Sequence, residues 1–427
     1  MSDESVETAF SHVTLRTNSV STLVHIVVGM VILSTVASSS AIFSSPIGDA
    51  VAVLCYLLLA GYFVYRDGTV SLPRYPLLIL LLIYTIFVVN AIRIFTGLLE
   101  IPGTYSSASS PEFYFLYLAS MGAFIISSFV TVFVIPAVID RERIFILFSL
   151  LSATTVLIGI PAYVVGDFQI SWIRVHTYTH LQPFREFGVF IPALASYFAD
   201  ANAFSKIALA GSFASFYQYR RYGTITAKVL FGVNAIGLFL GNSRTALLAA
   251  AAAATMYVTY VRLGKTSLRV FVTAVGAVGI TGFLLLLAEP SAIPFISSLN
   301  FSGRLELWQG SVQAIVQNPV LGAGVYEPSE IVVSYTSSEL RLAPQNSYLR
   351  MFITAGAVGG LAYISLLGVL LYRHLSTLKN RPDAVMFAFF VAFLIVQLTD
   401  TANPFGINKN SMIFGLLLGY VIEDVYL

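Results

Sequence analysis

The residues best suited to chemistry in this chain are arginines that its membrane topology does not require: Arg185, Arg244, Arg304, Arg341 and Arg350. A guanidinium is always charged, and its planar fork matches two phosphate oxygens at once. Several of them converging on one face would hold a diphosphate headgroup at the bilayer edge. The bland alternative is snorkelling, or pairing with Glu327, Glu330 or Glu339. Two further groups stand out. Asp200, Asn202 and Lys206 interrupt an apolar stretch, where polar groups usually face the bundle interior and one another. Asp200 and Lys206 are six residues apart, a poor spacing for an intrahelical pair, so partners on other spans are expected. His176 and His180 stand at i and i+4, a metal-ligand spacing on a helix, but no third ligand is near. A contact with surface or substrate fits them better, and no metal or other cofactor is expected.

These side chains must be positioned by a membrane fold. Of 427 residues, 57% are hydrophobic and 10% charged, against roughly 25% charged in soluble domains. With a mean hydropathy of +0.84, this excludes a soluble globular enzyme, a disordered chain and a disulfide scaffold. A net charge of +2 provides no field for a polyanion, so no nucleic-acid partner is expected. The single Cys55 lies in an apolar run and reads as a packing residue.

Apolar runs bounded by charges, Pro or Gly predict about twelve transmembrane helices. They lie near 20–42, 47–65, 76–98, 113–139, 143–165, 190–218, 223–241, 243–261, 267–288, 346–372, 383–401 and 410–424. The expected fold is therefore an all-α integral membrane bundle. Residues 1–19 form a cytoplasmic N-terminal tail, 20–288 hold spans one to nine, 289–345 form a long external loop, and 346–427 hold spans ten to twelve. The tail has neither the basic start nor the cleavage site of a signal peptide, so the first span should remain in the mature protein. Fourteen Lys and Arg fall on one side of this arrangement and nine on the other. The bias places both termini in the cytoplasm.

The long loop has apolar content of its own. Leu305, Trp308, Val312 and Ile315 recur near helical spacing, which predicts an amphipathic helix over Arg304–Gln317 at the outer surface. The chain has no phosphate-binding loop, no dinucleotide fingerprint, no Gly-x-Ser-x-Gly elbow and no Asp-x-Asp pair. Nothing in it binds a nucleotide, so the energy for any transfer must come with the substrate.

Four pieces in the C-terminal half carry a resemblance. They are Arg185 followed by Phe198-Ala-Asp-Ala-Asn202-Ala-Phe-Ser; Gly241-Asn-Ser-Arg244-Thr-Ala; Gly303-Arg304-x3-Trp308 with Asn318-Pro319-x2-Gly322-x-Gly324; and Gln345-Asn346-x9-Gly356-x2-Gly359. In this order and topology, residues 185–362 resemble the O-antigen ligase and O-antigen polymerase family of polytopic glycan transferases. The resemblance implies a GT-C-like bundle in the cytoplasmic (inner) membrane. It implies a metal-independent glycosyltransferase without cofactors, acting at the outer face. The partners would be a polyprenyl-diphosphate-linked glycan donor, a glycan or lipid acceptor, and membrane lipids.

On that resemblance Arg185, Arg244 and Arg304 surround the diphosphate, with Arg341 a fourth. Gln345 and Asn346 position the acceptor, with Asn202 and His180 as further substrate contacts. Trp308 offers a stacking surface or a membrane anchor. The sequence departs from the ligase pattern at Gln345, where a His is usual. Gln cannot take up a proton near neutral pH, which favours a polymerase over a ligase and leaves the base to Glu327, Glu330, Glu339, His176 or His180. The competing function is a transporter that flips lipid-linked glycans, for which intramembrane Asp200 and Lys206 would be suited.

Overall fold

The computed structural model describes residues 22–38, 40, 45–65, 72–99, 111–178, 191–288, 303–325, 328–336 and 344–427. Seven helices among them are long and apolar enough to cross a membrane, which makes this an integral membrane protein. In chain order the elements begin with α1 (Thr22–Ser38), α2 (Ser45–Tyr65) and α3 (Arg74–Phe95). Next, α4 (Pro111–Phe129) passes through a π-helical turn, Val130–Val134, into α5 (Ile135–Val138). Then α6 (Arg141–Gly159) and the short α7 (Ala162–Val165) lead to an antiparallel sheet of β1 (Phe168–Ile170), β2 (Ile173–Tyr178) and β3 (Ala193–Ser196), in that order.

The apolar run 190–218, expected as one span, is divided. Its first part pairs with β2 as strand β3, His176 opposite Ser196 and Tyr178 opposite Ala193. The helix α8 (Ala201–Tyr222) begins only where the Asp200 carboxylate accepts a hydrogen bond from Ala203 N, an N-cap that satisfies an orphan amide. Ser, Ala and Gly dominate α8, and the packing explains them: a Cβ on Gly211 would come within 2.3 Å of the Ser152 side chain on α6. Small residues permit this approach of helices. The next helix, α9 (Ile225–Gly241), closes the group through Asn234, which donates to Ser149 O at 3.1 Å and Gly211 O at 3.2 Å.

The helix α10 (Arg244–Ala288) is 45 residues long with a non-helical Gly264 inside it. At about 1.5 Å per residue its length would be twice the bilayer core. Instead the chain turns back at Gly264. Lys265 Nζ reaches Ser376 O at the far end of the bundle, whereas Arg244 and Phe283 both lie beside α11 (Arg304–Gln317). The remaining elements are the short α12 (Pro328–Val333), then α13 (Ser347–Thr377), α14 (Arg381–Thr399) and α15 (Lys409–Tyr426). Large buried aromatics, among them Phe389, Phe390, Phe393 and Tyr420, fill the centre between α14, α15 and α8.

Candidate functional site

The site is built where α13 begins, and backbone geometry fixes that start. Within α13, Gly356 has φ 62° and ψ −167°, which breaks the helix. In an unbroken helix Ile353 O and Thr354 O would accept from Ala357 N and Val358 N. Here they accept from Ala323 N (2.7 Å) and Gly324 N (3.0 Å) of the segment following α11. The displaced amides, Ala357 N and Val358 N, donate to Pro319 O (2.7 Å) and Val320 O (3.2 Å). A length of loop is thus threaded into the helix ladder, and these four displaced groups are satisfied. The Asn-Pro-x2-Gly-x-Gly piece and the Gly356 piece form a single joint.

Two residues of α3 lock that joint. Asn90 Nδ2 donates to Leu321 O at 2.6 Å and Thr354 O at 3.1 Å. Arg93 donates to Asn90 Oδ1 at 2.7 Å and Gly322 O at 3.1 Å. Neither residue was singled out from the sequence as part of a site. The only signal was Arg93 falling among the cations on the less basic side of the topology.

Above the joint, Asn346 caps α13 by accepting from Leu349 N at 3.0 Å, and its Nδ2 donates to Leu398 O at 2.8 Å. Ser347 Oγ donates to Asp400 O at 3.0 Å and accepts from Ala402 N at 2.8 Å. These bonds hold the end of α14 against the start of α13 and so fix Asp400. Gln345, just before the cap, has a φ of 45°. This left-handed conformation costs a non-glycine residue on the order of 1 kcal/mol or more. Its side-chain carbonyl Oε1 accepts from Arg304 Nε at 3.0 Å. Arg304 is the first residue of α11, and Gly303 at φ 75° turns the chain into that helix.

Charges gather around this pair. Asp400 and Arg244 both act on Arg304; burial pushes its pKa below the ordinary value, Arg244 adds to that, and Asp400 opposes it. Asp400 Oδ2 forms an ion pair with Lys206 Nζ, whose side chain is buried in α8. Lys409, also buried, lies over the Phe198 ring at 5.3 Å, and the charges acting on it are Lys206, Asp200 and Asp400. The group therefore holds four cations (Lys206, Arg244, Arg304, Lys409) and two carboxylates (Asp200, Asp400). Lys206 and Lys409 are buried, Arg304 is half-buried, and Arg244 and Asp200 are exposed, so the cations run from the interior out to a surface where an anion can reach them.

Of the residues expected from the sequence, Arg244, Arg304, Gln345 and Asn346 come together here. Asn202 is the second residue of α8, half-buried beside its Asp200 cap. Trp308 lies one turn into α11 and is buried, edge-on to Phe283 at 5.5 Å and packed with Leu286 and Leu349. Its ring holds α11 to the end of α10 and to α13. Arg185, Arg341 and His180 lie outside the described residues, as do Glu327, Glu339 and the side chain of Glu330. His176 sits in β2, where burial and then Arg174 push it below its ordinary pKa, so it is neutral near pH 7.

Lys206 does find its partner on another span, and that partner, Asp400, was missed. The available signal was a lone acid in Thr399-Asp-Thr-Ala-Asn403 at the end of an apolar run. Among the described residues no group of three or more His, Cys, Asp or Glu could hold a metal ion.

The matched region of the sequence coincides with this architecture. Residues 229–364 match the family model described as O-antigen ligase. The match runs from α9 through α10 and α11 to just past the Gly356 joint, so it includes Arg244, Arg304, Gln345 and Asn346. Lys206, Asp400 and Lys409 lie beyond it. No curated protein matches the chain with significance. Over this segment the chain is similar to O-antigen ligases.

Proposed function

We propose that the protein transfers or polymerises an oligosaccharide carried on a polyprenyl diphosphate, at the outer face of a cytoplasmic membrane. Both termini are cytoplasmic, and about twelve spans put Arg244, Arg304, Gln345 and Asp400 at the outer surface. The observation that carries the reading is the gathering of Lys206, Lys409, Arg304 and Arg244 beside the Arg304–Gln345 contact. A diphosphate leaving group is an anion that guanidinium and ammonium groups bind well.

In the reaction an acceptor hydroxyl oxygen forms a bond to the anomeric carbon of the donor. The bond from that carbon to the diphosphate oxygen breaks, and its electron pair leaves on the diphosphate. Arg304, Arg244 and Lys409 neutralise the developing charge, with Arg185 and Arg341 completing the set. Preorganised donors of this kind are worth about 2.7–4 kcal/mol each. Gln345 cannot accept the hydroxyl proton, so the proton passes to Asp400, whose carboxylate acts on Arg304 and is paired with Lys206 while its backbone carbonyl is held by Ser347. Gln345 and Asn346 position the acceptor.

The ligase pattern has a His at position 345, so the Gln found there favours polymerisation of repeat units. Final ligation is the second reading, and the family match favours it. No observation favours a flippase over these two.

The test is the surface glycan on a gel, with the lipid-linked pool, in cells lacking the gene and carrying variant copies. Arg304→Ala and Arg244→Ala should each lower transfer at least 100-fold, the size of a lost transition-state donor, with protein levels unchanged. Glycan reduced to a single attached repeat identifies a polymerase. Loss of attached glycan with finished glycan accumulating outside identifies a ligase. Full complementation by both variants defeats the proposal.

A further inference from the structure

Near the start of α13 is a cavity of about 330 Å³ that the transfer chemistry above does not use. Ser38 of α1, Asp49 of α2, Phe124 of α4 and Arg350 of α13 line it, with the Gly406–Asn408 segment closing one wall. We propose that this cavity is a saccharide-binding subsite for the acceptor. The assignment rests on the transfer reading and extends it, since the cation group explains the leaving group and Gln345 and Asn346 place only the reacting end of the acceptor, not the rest of its sugar.

Three observations carry it. First, the chemistry of the lining differs from that of the cation group. It presents one cation, one carboxylate, an amide, a hydroxyl and an aromatic face, with the Arg350 guanidinium over the Phe124 ring at 6.0 Å. An even balance of charge disfavours a phosphate. Carboxylate, amide and guanidinium together satisfy hydroxyls that both donate and accept, and an aromatic ring covers the apolar face of a pyranose. Second, the volume falls at the small end of the range for ligand pockets, roughly 300–1,000 Å³.

Third, the cavity stands next to the residues of the transfer site. Arg350 N donates to Asn346 O at 3.0 Å, so Arg350 is one helical turn, about 6 Å, from the residue that ties α13 to Asp400. Asn408 immediately precedes Lys409 of the cation group. The Ser40–Phe198 bridge likewise brings the end of α1 to the ring under Lys409, so the cavity adjoins the cation group.

The experiment uses the full chain in phosphatidylglycerol nanodiscs. The probe is the saccharide freed by mild acid from the lipid-linked pool of the gene-deleted host, with binding read by saturation-transfer NMR. Wild type should transfer saturation to this lipid-free saccharide, and excess inorganic pyrophosphate should leave the signal in place. Asp49→Asn and Arg350→Ala should abolish it, and Arg244→Ala should retain it. If Arg350→Ala does not purify folded, the near-isosteric Asp49→Asn decides alone.

No transfer to wild type, displacement by pyrophosphate, or a full signal in Asp49→Asn each overturns the assignment. A signal lost when the discs are made of phosphatidylethanolamine also overturns it, by making the cavity a lipid-headgroup site. If wild type binds as described while deleting the gene leaves the cellular glycan unchanged, the transfer reading fails and the saccharide site stands.

Discussion

At Gly264 and at Gly356 a long apolar helix leaves helical geometry through a glycine with positive φ, 82° in α10 and 62° in α13. The backbone device is the same and the surroundings are opposite. A Cβ added at Gly264 meets nothing within 4 Å, and the break turns the chain at the end of the bundle far from the site. A Cβ at Gly356 would come within 2.3 Å of Val320 C and O, because the loop that follows α11 is threaded through the break. One glycine reverses a chain; the other is half of a joint that sets where Asn346, Gln345 and Arg304 stand. The difference shows that an interrupted helix reports on function only when something fills the interruption.

The largest expected effect follows from the filled break. Gly356→Ala combines a left-handed φ with a backbone overlap that no side-chain rotation relieves. The cost should reach about 3 kcal/mol or more, read as a collapse of the thermal midpoint in detergent and loss of surface glycan. A variant with wild-type stability and activity would mean that the loop is not packed into the helix at all.

A middle-sized effect sharpens the same contrast from the α3 side. Arg93→Ala removes the bonds to Asn90 and Gly322 while leaving both helices intact. Unsatisfied groups of this kind cost about 1–3 kcal/mol. The expected result is folded protein whose transfer activity drops more than its thermal midpoint predicts, with rescue by Arg93→Lys incomplete because a point charge cannot reproduce a fork. Activity that merely tracks stability would reduce Arg93 to a packing role.

These two cases also show what the sequence made legible. Helices lie close to most of the apolar runs, because uninterrupted apolar stretches have few alternatives in a bilayer. The helix Arg304–Gln317 coincides with the spacing of Leu305, Trp308, Val312 and Ile315. The run 190–218 was misleading because Ala-Leu-Ala-Ser suits a buried strand as well as a helix, and only the Asp200 cap marks the true start. Among side chains, Arg244 and Arg304 stood out because charge is costly there and therefore conspicuous, and Gln345 through the motif that carries the resemblance; Arg185 and Arg341 lie outside the described residues. Asp400 and Arg93 were not, since a single acid or Arg at a span end reads as topology until its partner is known. That Lys206 reaches Asp400, 194 residues further along the chain, is a fact of tertiary packing that no local pattern encodes.

The smallest expected effect belongs to the empty break. Gly264→Ala must hold an alanine at φ 82° and ψ 180°, which costs about 1–3 kcal/mol, with no steric term to add. The thermal midpoint should fall by a few degrees. Transfer should be unchanged, because the nearest tie between this turn and the rest of the bundle is Lys265 on Ser376, at the end of α13 opposite Gln345. The informative quantity is the ratio of the two effects. If Gly264→Ala lowered activity as far as Gly356→Ala does, the two breaks would be mechanically coupled through α10. Arg244, at the other end of the same hairpin, would then be the natural carrier, its position beside Arg304 depending on how the hairpin is turned. If activity holds, the placement of Arg244 is fixed locally, by the α9–α10 turn at Asn242 with its φ of 57°.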